Sequence, residues 1–353
     1  MTRFLLAAVV AALASVAQPQ PPAGGPVRYA LEAKDARRVT GVLTYTVTCP
    51  DLRAKEWLVF AAAAPELPGQ TGAKTVLSPA GSPARDRSPL ARGLLTARVP
   101  ATTDDLQTTI PIRVTYEATL RSRTLVALPP GAAAPPVAPL PPAERTLYLA
   151  ERGDIDFGTG AFQKWLAAER LVRGEGEGEV AFARKGFRAI RDLMAYAYAA
   201  DLDRRASAVC AAGRSDCGGL SALFVAVMRA NGIPARGLYG RWAESAGADA
   251  RLSGVAYYQW HVKAEFFADG VGWVPVDPSG AVQHDRTPDA RRFFGSDRGD
   301  FLTFHVDPNP SFEAGQFGVQ TVGNLQTPAW WAGGRGSIAG ARGAEGWTVG
   351  PAK

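Results

Sequence analysis

The sequence predicts an α+β protein, with an all-β sandwich ahead of a region of helices followed by strands. Three observations predict it. Residues 27–127 alternate with period two and no helical pattern interrupts them. A proline-rich stretch, 128–142 (LPPGAAAPPVAPLPP), then breaks the pattern. Beyond it the apolar spacing turns helical and leads to Ser215-Asp216-Cys217-Gly218-Gly219-Leu220-Ser221. At 353 residues, 46% of them hydrophobic, the chain is long enough for two full cores.

The chain opens with Met1-Thr2-Arg3, an apolar run from Phe4 to Ala17 and a small-residue end, Ser15-Val16-Ala17. That is the pattern of a secretory signal, so residues 1–17 are set apart from the fold. The expectation is a secreted or periplasmic protein with no stable membrane anchor once the signal is removed. The net charge of +6 includes Arg3. Basic and acidic residues are interspersed with no basic stripe, so nucleic acid is not expected as a partner. Residues 18–28 read as a flexible leader.

In the β region, Leu43, Tyr45, Val47 and Cys49 share one face of a strand, and Glu56–Ala63 is a second strand. Residues 64–93 read as loop. The clearest strand alternates Ile110, Ile112, Val114, Tyr116, Ala118 and Leu120 with polar partners, which predicts one buried face. The proline-rich stretch reads as a semi-rigid linker.

After the linker, Phe162–Leu171 reads as a short helix. Val180–Ala199 reads as a longer one, with Phe187, Ile190 and Met194 on one face and Tyr196 and Tyr198 near its end. The acidic tract Gly174–Glu179 matches no cation-loop spacing and reads as a solvated loop. From Leu220 the spacing of Leu223, Phe224, Val227 and Met228 predicts a helix with one face buried. Ser215 or Asp216 caps it, and Gly232 with Pro234 ends it. Cys217 falls in the first turn, where unpaired N–H groups and the helix dipole favour a thiolate. Strands follow over 233–242, Tyr257–Phe267, Gly272–Asp277 and 301–306, with a charged loop at Arg286–Arg298. Residues 332–353 are Gly-rich and read as a flexible tail.

A thiolate nucleophile needs a base, and the base needs a group to orient it. Of the three histidines, His284 sits in a polar segment and His305 between Phe304 and Val306. His261 shares a strand face with Lys263, Glu265 and Phe267. A three-residue turn, Ala268-Asp269-Gly270, with Gly270 left-handed, would pair Phe267 with Val271 and set His261 opposite Asp277. Asp277 would then accept from one ring nitrogen and leave the other facing Cys217, with the imidazolium holding the thiolate as an ion pair.

Three ordered blocks carry a family resemblance. They are Asp216-Cys217-Gly218-Gly219-Leu220-Ser221 with Met228–Arg236, then Trp260-His261-Val262-Lys263-Ala264-Glu265-Phe266, then Gly272–Pro278. Together they resemble the bacterial transglutaminase-like superfamily, over about residues 160–310. The resemblance implies a papain-like core, a Cys-bearing helix packed on an antiparallel sheet, within residues 145–331. It assigns the family's triad to Cys217, His261 and Asp277. Ser215 stands where the family often has Gly. The family includes cross-linkers, amide-hydrolysing peptidases and inactive relatives.

The Cys217 N–H is the expected oxyanion donor. Tyr198, Tyr258 and Gln259 are candidate second donors or wall residues. Glu265 is a candidate to orient His261 or touch substrate, and Trp242, Trp260 and Trp273 are candidates to wall an acyl groove. No metal or organic cofactor is expected, since no zinc spacing exists. Cys49 and Cys210 could pair, but Cys49 lies on the apolar face of its strand, which favours a buried thiol. The expected function is an exported thiol enzyme that forms an acyl-thioester at Cys217 from a peptide or protein carboxamide, resolved by amine or water. The alternatives are hydrolysis only and a non-catalytic binding module.

Overall fold

The computed structural model describes residues 27–101, 108–245, 251–252, 255–256, 259–285, 287 and 292–351. The signal segment 1–17 and Tyr258 lie outside the described residues. Six strands open the chain: β1 (Tyr29–Thr48), β2 (Leu52–Ala62), β3 (Gln70–Ser78), β4 (Ser82–Arg85), β5 (Gly93–Pro100) and β6 (Thr109–Ala127). In β6 the residues Ile110, Ile112, Val114, Tyr116, Ala118 and Leu120 are all buried, as their alternation requires. The stretch expected to be loop instead holds β3 and β4. In β3 most side chains are exposed or half-buried, so no apolar face marks it in the sequence. β4 carries Pro83 and sits at a sheet edge, where proline is tolerated.

The proline-rich stretch does not merely span. Leu140 is buried with Phe267 and Trp273, and Tyr148 packs against them. α1 (Pro142–Leu149) follows, then α2 (Gly160–Ala168), capped by Thr159, and α3 (Glu179–Leu193). α3 stops short of the expected Ala199 because Met194 is extended. The chain then enters β7 (Ala195–Tyr196), which pairs in parallel with β8 (Arg214–Ser215) across α4 (Ala206–Ala212). α5 (Cys217–Ala230) is buried on every side from Gly218 to Arg229, not on one face. A helix apolar all round belongs at the centre of a core.

Strands β9 (Ala235–Trp242), β10 (Arg251–Leu252), β11 (Val255–Ala256), β12 (Trp260–Ala268) and β13 (Gly272–Val276) come next. They are followed by α6 (Pro278–His284), β14 (Ser296–Asp297), β15 (Phe301–Val306), β16 (Ser311–Glu313), β17 (Val319–Thr321), β18 (Ala329–Gly336) and β19 (Arg342–Pro351). The sheet under α5 runs β13–β12–β9–β15, all antiparallel. Its strands approach closely at Gly240, where a Cβ would lie 1.9 Å from the Leu302 carbonyl oxygen.

The β12–β13 hairpin differs in detail from its expected form. Phe267 pairs with Trp273 and Ala268 with Gly272, so the three loop residues are 269–271. Gly270 is left-handed at φ +74°, as expected, and Gly272 also has positive φ at +98°. The strands have slid by two residues relative to the expected pairing of Phe267 with Val271. A slide of two preserves the face of every side chain, where a slide of one would reverse it.

Two sheets form the sandwich, ordered β14–β6–β1–β19 (with β3 also on β6) and β18–β2–β5–β4. Residues 332–353 are therefore not a loose tail in their described part. β19 pairs with β1 from Val39↔Pro351 to Thr48↔Arg342, and β18 pairs with β2. Trp347 is buried at 2% exposure. The sandwich is thus not built from residues 27–127 alone. Its core also takes Leu302 and Phe304 from β15, with Phe304 stacked on Tyr116 at 3.9 Å. A second apolar cluster surrounds α5, with contributions from α2, α3, α6, β12 and β13.

Candidate functional site

Cys217 is the first residue of α5, and Asp216 caps that helix. The Asp216 carboxylate accepts from the N–H of Gly218 (3.0 Å) and Gly219 (3.2 Å). Arg204 grips the same carboxylate through Nε (2.9 Å) and Nη2 (2.6 Å). The parallel β7–β8 pairing, extended by Ala197 N–H donating to the Ser215 carbonyl, runs Tyr198 past Asp216 and Cys217.

The helix is fastened to β12 beside His261. Ser221, one turn beyond Cys217, donates to the Val262 carbonyl at 3.1 Å. The Val262 backbone works against the upward push on the Cys217 thiol, favouring its charged form. The helix that carries Cys217 is therefore joined to the histidine strand at Val262, whose neighbour is His261.

His261 Nε2 and Asp277 Oδ2 are 2.8 Å apart, both residues buried. Nε2 is committed to the carboxylate, so Nδ1 is the nitrogen left to act as a base. Asp277 also caps α6. Its Oδ1 accepts from Gly280 N–H (2.8 Å) and the Ser279 hydroxyl (3.2 Å). Burial raises the proton affinity of Asp277, but His261, Lys263 and the Gly280 N–H together outweigh it and hold the carboxyl below its ordinary range. Trp242 stacks on the imidazole, with centroids 4.5 Å apart and planes at 23°, and Phe301 meets it edge-on.

The expected thiolate at the helix start is not what the surroundings favour. Burial first, then the Asp216 charge, push the Cys217 thiol well up, with the Val262 backbone and Arg204 acting the other way. Burial is the larger cause and the cap the second. Asp216 occupies the N–H groups that would have stabilised sulfur and sets a negative charge at the positive end of the helix.

Among the other candidates, Tyr198 lies close enough to Cys217, Asp216 and Arg204 to feel their charges, and burial raises its own proton affinity. Gln259 has φ +62°, and its carbonyl accepts from Trp242 N–H. Trp260 donates from Nε1 to Glu345 at 3.2 Å. Trp273 is buried beneath the Arg236 guanidinium at 3.9 Å and does not wall the site. Glu265 is fully buried and paired with Arg123 (2.6 Å) and Arg236 (2.7 Å), so it neither orients His261 nor reaches a substrate. Cys49 and Cys210 are separate buried thiols. Among the described residues, no cluster of His, Cys, Asp and Glu side chains is arranged to hold a metal.

Sequence reasoning missed Ser221 and Val262. The i+4 spacing from Cys217 was the available signal for Ser221. It also missed Gln326, whose amide donates to the carbonyls of Gly240 (2.7 Å) and His261 (2.8 Å) from a distant loop.

His305 is a different kind of histidine. Its Nδ1–H donates to the Asp307 carbonyl and its Nε2 accepts from Leu325 N–H, each at 3.0 Å. Only the neutral ring makes both bonds. Burial, reinforced by Arg92, lowers its pKa to about 3. In the unfolded chain His titrates near 6.5, so the stability this residue contributes is complete above about pH 6.5 and is lost as pH falls toward 3. Thermal melts should show stability falling by up to about 1.4 kcal/mol per pH unit across that window, and His305→Gln should flatten the slope.

Residues 167–278 match the family model described as the Transglutaminase-like superfamily. The part of the chain that carries Cys217, His261 and Asp277 is thus similar to the transglutaminase-like superfamily. A curated protein of Haemophilus influenzae, described as uncharacterized, is 36% identical over 76 residues. That match takes in 18% of this chain and 21% of the relative, so the chain spans about a fifth of the curated relative's length. A crystal structure from Cytophaga hutchinsonii, described as a "Putative Cysteine Protease", superposes with TM-score 0.56 at 11% identity. It covers 92% of this chain and 93% of that one, so the two share an overall fold. The periplasmic domain of TgpA from Pseudomonas aeruginosa, bound to ethylmercury, matches with TM-score 0.35 at 16% identity, over 69% of this chain and 92% of that one.

Proposed function

We propose that this protein is an exported thiol acyl-transfer enzyme acting on a peptide or protein carboxamide, with Cys217 as nucleophile, His261 as base and Asp277 as the group that orients the base. The observation that carries the reading is the buried 2.8 Å contact between His261 and Asp277, beside Val262, whose carbonyl fastens the first turns of the Cys217 helix through Ser221. In this reading the thiol proton passes to His261 Nδ1 as the sulfur–carbon bond forms. The carbonyl oxygen takes up the electron pair and is met by the Cys217 N–H. On collapse the carbon–nitrogen bond breaks and the imidazolium gives its proton to the leaving amine. An amine or water then attacks the thioester, again losing a proton to His261, and sulfur leaves and regains it.

The raised proton affinity of the Cys217 thiol supports proton transfer in step with attack rather than a standing ion pair. Export is supported by the signal-like pattern of residues 1–17. The described peptidase character of the Cytophaga relative makes hydrolysis alone the second reading. Incubation of the purified protein with glutamine-containing peptides, with and without a primary amine, separates the two. Amine adducts mean transfer, deamidated or cleaved peptide in both conditions means hydrolysis, and the absence of any product together with no selective alkylation of Cys217 would sink both.

A further inference from the structure

One ammonium group stands among the same aromatic rings as the imidazole. Lys263 lies two residues from His261 on β12, on the same face, and is 5% exposed. Its Nζ is 4.6 Å from the centroid of Trp242 and 5.0 Å from that of Phe301, the two rings that also pack on His261. Asp297 (3.6 Å) and Asp300 (3.4 Å) pair with it, and Asp277 is a third carboxylate within electrostatic reach.

The charged groups around Asp277 come from every side. β12 contributes His261 and Lys263, α6 the Gly280 N–H and Ser279 hydroxyl, the 296–300 segment Asp297 and Asp300, and α5 Cys217. Arg123 reaches only the Asp297 end, at 3.8 Å. Three carboxylates therefore draw on one ammonium, and removing it would leave them repelling one another in a buried setting.

We propose that Lys263 is a positioning residue for the His261–Asp277 couple, its ammonium setting a positive charge beside the couple while fixing Trp242 flat against the imidazole. The inference rests on the Cys217–His261–Asp277 reading. Lys263 touches neither sulfur nor a substrate carbonyl. It acts on the carboxylate that holds Nε2, and on the ring that keeps the imidazole plane from rotating. An apolar residue would fill the space between Trp242 and Phe301 and supply neither the charge nor the pull on Trp242.

The test uses the full chain and iodoacetamide, following alkylation of each cysteine by peptide mass spectrometry from about pH 4 to about pH 9. In the unaltered protein Cys217 should react ahead of Cys49 and Cys210, and His261→Ala should remove that preference. In Lys263→Met the acid limb of Cys217 alkylation should move up by about one pH unit, a roughly tenfold loss on that limb, while Lys263→Arg holds it within about 0.3 unit. An unmoved limb in a Lys263→Met protein that still melts cooperatively overturns the proposal. If that variant does not fold, Asp300→Asn reads the same effect in reverse. One competitor for the ammonium is gone, so the limb should move down, and a limb that stays or rises overturns the proposal. If Cys217 shows no preference in the unaltered protein, the triad reading fails and this one with it. If the preference stands and the limb does not move, only this proposal fails.

Discussion

A chain ending at Thr327 is expected to lose its cooperative melt and the reactivity of Cys217 together. The deletion removes β18 and β19, which pair along β2 and β1, and it strips Trp347 from the sandwich core. Removing one buried Trp side chain alone costs about 3–5 kcal/mol, and whole domains are stable by only about 5–15 kcal/mol. The loss also reaches the site. Trp347 Nε1 donates to the carbonyl of Trp242, the residue stacked on His261. Glu345 pairs with Arg241 at 2.5 Å and accepts from Trp260, both close to His261 in the β9–β12 pair. Circular dichroism melts and iodoacetamide labelling check the result. A truncated protein that melts cooperatively and still labels first at Cys217 would remove the strands from any role in the site.

Asp277→Asn is expected to keep the fold and slow Cys217 alkylation and acyl transfer by about 10²–10⁴-fold. The cap on α6 should survive, because an amide oxygen can still accept from Gly280 N–H and the Ser279 hydroxyl. The contact with His261 reverses. An amide nitrogen facing Nε2 donates where the carboxylate accepted, so the imidazole proton moves to Nδ1, the nitrogen needed as base. Stability against acid should change as well. The lowered pKa of Asp277 means it contributes stability above the unfolded carboxyl range and loses it as pH falls through the folded value, so Asp277→Asn should flatten the acid end of the stability curve. Stopped-flow labelling with melts at several pH values checks both parts, and a variant that reacts at the original rate would end the role given to Asp277.

The His261–Asp277 couple was legible because a sheet face depends only on parity. The hairpin closes on Ala268↔Gly272, not on the expected Phe267↔Val271, yet both residues stay on one side. The alternation of β6 was legible for the same reason, being written in the chain itself. β18 and β19 were not. Their residues are glycine-rich and mostly half-buried or exposed, and they become strands because β1 and β2 offer edges from the far end of the sequence. Glu265 looked available from its place beside His261 on one strand face. Arg123 and Arg236, which bury it, come from segments that no local pattern joins to it. The raised proton affinity of the Cys217 thiol was not legible, because burial, its largest cause, comes from packing that no local pattern shows.

The pairing of Val39 with Pro351 has a kinetic consequence. β1 is completed by a strand from residues 342–351, so its outer edge stays open until that distant segment has been made. Such a topology has a high contact order, and closing so long a loop makes refolding slow. Until β19 arrives, the open edge of β1 is a template on which another copy of the chain can pair. The same delay separates synthesis from reactivity. Trp242 and Trp260 receive their anchors from Trp347 and Glu345 only when β19 docks, so the surroundings of His261 are assembled late.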